Sequence, residues 1–269
     1  DLQILSARPT SADRAVAPHK LFGDLGADEK GSAVEWAEKA AVEINCAVES
    51  ARLPVVVGGT GLYLRALMDG LVDIPSIPTD VRNASEALLA EIGNEEFYEI
   101  LKSRDPETAR NLAPGDTHRL LRTWTVLEAT GIPLREWRAL PPSPPLSAKY
   151  YSIVMMPKRE ELYNACNMRF DEMIEKGAIE ELKAFLDEGG PRISSVMKIL
   201  GARELSKHLL GEVTLEEAIN AAKISIRHYA KRQVTWFRHQ FAGTESINSR
   251  FSEAVLVKLF SNIRLFLSI

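Results

Sequence analysis

Pro54-Val55-Val56-Val57-Gly58-Gly59-Thr60-Gly61-Leu62-Tyr63 is the stretch on which the reading of the fold turns. Arg52 to Val57 reads as a short buried strand with a proline near its start. Gly58 to Gly61 reads as a tight turn, and Leu62 to Met68 as a helix that stops at Gly70. Upstream, Val34, Ala37, Ala41, Ile44 and Val48 recur at helical spacing between Ser32 and Glu49. Helix, β-branched strand, glycine turn and helix make an α/β unit, which predicts a parallel sheet. Such a turn aims backbone N–H groups at an anion and leaves the Thr60 hydroxyl free to hydrogen-bond a substrate. A purely structural turn accounts for the same glycines. It is not a Walker A loop, because no Gly-Lys-Ser/Thr follows.

Working outward, a proline-containing stretch at 73–79 precedes two helical patterns near 80–92 and 94–104. Asp116 is placed to cap a helix that runs to Thr130, with Gly131 and Pro133 as stop signals. Leu140 to Pro145 is the strongest linker signal in the chain. Tyr150 to Met156 is β-like. Helical patterns cover 158–188 and end at Gly189-Gly190-Pro191. Thr214 and Glu217 form the pattern of a capping box ahead of a helix reaching His239. The tail 250–269 is amphipathic and predicts a packing helix. This layout predicts an α/β body of residues 1–77 and 146–269 with a helical insertion at 78–145. One continuous α-rich domain with proline loops is the alternative.

A chain of 269 residues with a 45% apolar and 26% charged content is an ordinary globular composition, which excludes disorder and collagen-like structure. No apolar run approaches the roughly 20 residues of a membrane span. Asp1 to Thr10 lacks the pattern of a secretory signal, and the two cysteines, Cys46 and Cys166, suit a reducing compartment. A cytoplasmic protein is the expectation. The net charge of −4 argues against nonspecific coating of nucleic acid but not against a local basic face.

Three segments concentrate cationic chemistry. Residues 223–240 carry five Lys or Arg and no Asp or Glu. On a helix, Lys223, Arg227, Lys231 and Arg238 fall within about 80° of arc. The opposite arc holds Ile219, Ala222, Ile226, Tyr229, Trp236 and Phe237, so one face packs and the other forms a basic stripe. A solvated face and a phosphate-contacting face both fit. Arg119 and Arg122 share a helix face and form either a phosphate clamp or a solubilising pair. Arg169 lies among carboxylates, with Glu172 at i+3 its best partner within the helix.

Taken together in order, Val57-Gly58-Gly59-Thr60-Gly61-Leu62-Tyr63, Asp116-x-x-Arg119-x-x-Arg122, Arg169-x-x-x-Met173-x-x-x-Gly177, Lys198-Ile199-Leu200-Gly201-Ala202-Arg203-Glu204 and Arg227-x-Tyr229-Ala230-Lys231-Arg232-Gln233-x-Thr235-Trp236-Phe237-Arg238 resemble the tRNA dimethylallyltransferases over about residues 1–240. The resemblance implies a P-loop-NTPase-like parallel-sheet core with an inserted helical domain. It implies transfer of a dimethylallyl group from dimethylallyl diphosphate to N6 of the adenosine 3′ of the anticodon in tRNA, with Mg²⁺ as cofactor. It makes Thr60 and Arg169 catalytic, and gives the substrate diphosphate to Arg169 and Arg227. It implies tRNA contacts at Arg82, His118, Arg119, Leu120, Leu121, Arg122, Lys198, Arg203, Ala230, Lys231, Arg232, Gln233, Val234, Thr235, Trp236, Phe237 and Arg238. It assigns no metal ligand in this chain, and a monomer without membrane contact is expected.

Departures from the family pattern matter as much. The family's P-loop and its catalytic Asp, in an Asp-Ser-Met-Gln block, are not in these 269 residues. Asp1 corresponds to a position downstream of that block and is no general-base candidate. The family's Pro-His-His is Pro18-His19-Lys20, and its Ile-Gly-Tyr-Lys/Arg-Glu is Leu200-Gly201-Ala202-Arg203-Glu204. A shortened chain of an ordinary member and a degenerate relative both account for these differences. The 269-residue polypeptide is expected to be inactive without the P-loop and Asp. An adenylate isopentenyltransferase acting on free nucleotide and a noncatalytic RNA-binding relative are the alternative readings. The insertion favours tRNA over a free nucleotide.

Overall fold

The computed structural model describes residues 2–27, 29, 31–189, 195–241, 245–249 and 252–268. Asp1, Gly190 and Pro191 lie outside the described residues. In chain order the elements are α1 (Ser11–Val16), α2 (Ala33–Glu49), α3 (Gly61–Met68), α4 (Thr79–Arg104), α5 (Pro106–Ala109), α6 (Thr117–Thr130), α7 (Leu134–Ala139), β1 (Ile153–Met155), α8 (Arg159–Glu175), α9 (Ala178–Asp187), a 3₁₀ turn at Ser195–Lys198, α10 (Ala202–Leu209), α11 (Leu215–Gln240), β2 (Glu245–Ile247) and α12 (Glu253–Leu267).

The helix starts follow local chemistry. Ser32 with Glu35 and Thr214 with Glu217 close capping boxes ahead of α2 and α11. The Asp116 side chain accepts the Arg119 N–H at the start of α6, which ends on Gly131 in the left-handed region at φ +69°. Gly93, at φ +79° and ψ 171°, breaks α4 into the two helical runs that its sequence predicts.

The chain forms two compact units: residues 1–68 with 146–269, and residues 69–145. The first unit is centred on Leu2, Leu5, Phe170, Leu182, Leu205 and the small residues Ala178, Ala202, Ala218 and Ala222. Lys223 of α11 pairs with Asp171 of α8 at 2.6 Å, and Ser225 Oγ donates to Glu204 of α10 at 2.6 Å. Glu181 of α9 accepts the backbone N–H groups of Gln3, Ile4 and Leu5, fixing the turn at the start of the chain. In the second unit α4 and α6 enclose Leu89, Phe97, Leu101, Leu120 and Trp124. A smaller cluster joins Ile77, Val126 and Leu134. Residues 69–77, which the sequence reading leaves with the body, group with this unit because Ile74 and Ile77 pack in that cluster and Leu71 bridges Ser143.

The strand expected at 52–57 does not form. This segment takes no regular secondary structure, and Val55 and Val57 are 73% and 66% exposed. A segment becomes a strand only when a neighbouring strand takes its N–H and C=O groups, and here the Arg52 N–H turns back to Ala47 O at 2.8 Å and no ladder forms among the described residues. On α2 the alanines Ala37, Ala40 and Ala41 are buried while Val34 and Val48 remain exposed. The parallel pairing present is elsewhere: β1 pairs with β2 in the register Ile153↔Glu245, Val154↔Ser246, Met155↔Ile247. The described chain is therefore helix-rich with a small parallel sheet. Among its described residues no helix is long and apolar enough to cross a membrane.

Candidate functional site

The glycine turn rests closely on α11. A Cβ on Gly61 would lie 2.0 Å from the Trp236 ring, and one on Gly59 would lie 2.2 Å from the Gln233 amide. Trp236 is itself wedged against Phe237 and Phe241, with ring centroids 5.2 and 6.2 Å away. Thr60 sits between the two glycines, and its carbonyl accepts the first N–H groups of α3, from Tyr63 and Leu64. Its hydroxyl lies 3.2 Å from the Tyr229 hydroxyl of α11 and is otherwise exposed. One aromatic hydroxyl thus orients one threonine hydroxyl at the head of a helix.

Arg227 lies two residues before Tyr229 and donates from Nη1 to Asn167 Oδ1 of α8 at 2.9 Å. Arg169 is exposed on α8. The expected pairing with Glu172 does not form; Glu172 meets Lys176 at 3.7 Å instead. Burial pushes the Cys166 thiol up, while the charges of Arg169 and Arg227 act against that rise. Arg227 of α11 reaches Asn167, two residues before Arg169 on α8, so the two diphosphate candidates stand on adjoining helices. The stripe on α11 is less uncompensated than its sequence predicts. Lys223 is neutralised by Asp171, and Arg232 lies over the Tyr229 ring at 5.6 Å. Lys231 and Arg238 project to solvent.

Some residues assigned to tRNA by resemblance have other places. Leu120 is fully buried in the α4–α6 core and Ala230 is 6% exposed, so both are packing positions rather than contacts. Gln233 and Trp236 face the glycine turn, and Val234 and Phe237 are half-buried. Thr235, Lys198 and Arg203 are exposed. In the second unit Arg119 pairs with its own N-cap, Asp116, at 3.3 Å. His118, Arg82 and Arg122 are exposed, and Leu121 is half-buried against the core.

The sequence pattern of the IPP transferase family matches residues 1–240. The chain belongs to that family. A tRNA dimethylallyltransferase of Paramagnetospirillum magneticum is 42% identical over 263 residues, covering 98% of this chain and 84% of its own length. Another, of Rhodospirillum centenum, is 46% identical over 246 residues, covering 90% and 77%. Among solved structures, a tRNA isopentenylpyrophosphate transferase of Bacillus halodurans is 30% identical with a TM-score of 0.65, covering 98% of this chain and 82% of that one.

For this IPP transferase family member, the contacts of three residues are not signalled by sequence. The angle of Tyr229 on α11 puts it on the packing face, yet its hydroxyl reaches Thr60 in the turn. Asn167 gave no sequence signal, because its role depends on α8 lying beside α11. Arg138 of α7 was likewise unassigned, although its charge acts on Arg122.

Proposed function

We propose that the protein transfers a dimethylallyl group from dimethylallyl diphosphate to N6 of the adenosine 3′ of the anticodon in tRNA, within a P-loop-NTPase-like parallel-sheet core. The allylic C–O bond breaks and its electron pair leaves with diphosphate. The adenine amine attacks the allylic carbon, and the nitrogen loses a proton. The observation that carries the reading is the Thr60 hydroxyl, held by Tyr229 at the head of α3 on the same helix that carries Arg227. A positioned hydroxyl serves to orient the acceptor amine. Cations near the departing diphosphate stabilise its charge, the role given to Arg169 and Arg227. Relatives named tRNA dimethylallyltransferase at 42% and 46% identity support tRNA rather than a free nucleotide as acceptor.

Magnesium enters no step derived from this chain. Among the described residues no group of three or more His, Cys, Asp or Glu is arranged to hold a metal ion. The deprotonating Asp and the P-loop are features the resemblance implies and the 269 residues do not contain.

The test supplies those features. A fusion placing a P-loop and Asp-Ser-Met-Gln segment ahead of residue 1 is incubated with labelled dimethylallyl diphosphate and either unmodified tRNA or AMP. Label should pass to tRNA with adenosine 3′ of the anticodon, not to a guanosine variant and not to AMP. The 269-residue polypeptide alone should transfer none. Label on AMP would overturn the tRNA reading, and turnover by the unfused polypeptide would overturn the P-loop requirement.

A further inference from the structure

We propose that Asn167 is a positioning residue for Arg227, an amide that orients this cation for the substrate diphosphate without neutralising it. The inference rests on the diphosphate reading of Arg227 and adds a residue that no sequence reading assigned.

Helices α8 and α11 meet through two matched rungs. Asn167 and Asp171 stand one turn apart on α8, and Lys223 and Arg227 stand one turn apart on α11, so each pair shares a helix face. Arg227 Nη1 donates to Asn167 Oδ1 at 2.9 Å. Lys223 Nζ meets the two Asp171 oxygens at 2.6 and 2.8 Å. The helices therefore run antiparallel along this seam, with a neutral rung beside a charged one.

The two rungs treat their cations differently. Asp171 cancels the charge of Lys223. Asn167 gives Arg227 a carbonyl oxygen to donate to, and no negative charge. Among the described residues no carboxylate pairs with Arg227. One guanidinium N–H is engaged, so the other N–H groups and the whole positive charge stay open to an anion. Arg227 is half-buried, which leaves that side accessible. Holding one nitrogen fixes the plane of the fork, so less freedom is lost when it meets phosphate oxygens. A carboxylate at position 167 would form a charge-assisted pair with the same fork and compete with the diphosphate for it. Packing alone gives no preference for the amide, because Asp has nearly the same size and would hold Arg227 more strongly. The amide keeps the cation both placed and uncancelled.

The experiment reads melting temperature on the 269-residue protein. It reads the Kd of inorganic pyrophosphate and the KM for dimethylallyl diphosphate on the fused enzyme. Variants are Asn167→Asp, Asn167→Ala, Arg227→Ala and, on the neighbouring rung, Asp171→Asn. Asn167→Asp should melt level with or above wild type, yet weaken pyrophosphate binding about tenfold and raise the donor KM in step. Asn167→Ala keeps the charge and removes the orientation, so it should melt lower and lose about threefold in affinity. Asp171→Asn should melt lower and bind pyrophosphate as wild type does. A purely structural contact would make Asn167→Asp the milder change in every measurement, and that order would overturn the inference. Should the alanine variant not fold, the near-isosteric Asn167→Asp decides alone. Wild-type pyrophosphate affinity in the Asn167 variants, with Arg227→Ala weakened, would overturn the positioning role and leave the diphosphate reading standing. Wild-type affinity in Arg227→Ala, or no pyrophosphate binding by the fused enzyme itself, would overturn the diphosphate reading on which the inference rests.

Discussion

At Thr60 the chemistry depends on one hydroxyl and its orienting partner. Thr60→Ala in the fused enzyme should lower kcat while leaving tRNA affinity near wild type, because one positioned hydrogen bond at the reacting centre is worth about 2–4 kcal/mol at the transition state. Single-turnover rates check this, and a wild-type rate would reduce Thr60 to a turn residue. Tyr229→Phe keeps the ring and removes the hydroxyl that meets Thr60 at 3.2 Å, so its loss should follow the same pattern at smaller size. The two flanking glycines should part company. A methyl at Gly61 meets the fixed Trp236 ring at 2.0 Å, whereas one at Gly59 meets the movable end of Gln233. Gly61→Ala should therefore destabilise by about 1–3 kcal/mol and Gly59→Ala by much less, as urea titration would show. The glycines were legible in the sequence as a turn. Their reason was not, because the ring that forbids a side chain at Gly61 lies 175 residues away on α11.

At the scale of elements, α11 does two jobs. Its inner face carries Ala218, Ala222 and Ala230 into the core, and its outer face leaves Lys231 and Arg238 in solvent. Lys231→Ala and Arg238→Ala should each reduce the salt slope of tRNA binding by about 0.7–0.9 with no change in melting temperature. Lys223→Ala should do the reverse, since Lys223 is spent on Asp171: a lower melting temperature and an unchanged slope. Wild-type slopes for the Lys231 and Arg238 variants would make the stripe merely solvated. The start of α11 carries a pH signature. Hydrogen bonds from the Thr214 backbone and hydroxyl hold the Glu217 carboxyl below its ordinary pKa. Its contribution to stability is present above the unfolded pKa and fades as pH falls through the folded one. The melting-temperature gap between wild type and Thr214→Ala should narrow from neutral pH towards about pH 3.5. A constant gap would assign the cap effect to the Glu217 N–H bond that the Thr214 hydroxyl accepts, and not to the carboxylate. The helix itself, its cap and its two faces could be read from periodicity, while the pairing that removes Lys223 from the stripe could not.

For the whole molecule, the outstanding feature is an apolar segment with no partner. Val55, Val56 and Val57 have strand chemistry but no ladder among the described residues. In the fused enzyme their amides should gain hydrogen-exchange protection that the 269-residue polypeptide lacks. Equal exchange in both would refute a parallel-sheet core built on this segment. Sequence by itself determined the longer helices, the caps at Asp116 and Thr214, the break at Gly93, the glycine turn and the cationic residues, because capping, periodicity and backbone freedom act within a few residues; the short helices α1, α5, α7 and α10 carried too few residues to show a period. Even the family could be recognised from ordered short motifs. Tertiary structure decided the rest. It set the β1–β2 pairing, the grouping of residues 69–77, the meeting of Thr60 with Tyr229, and which arginines keep their charge unanswered. Each of these depends on side chains or strands far apart in sequence, whose contacts are fixed by packing rather than by local preference.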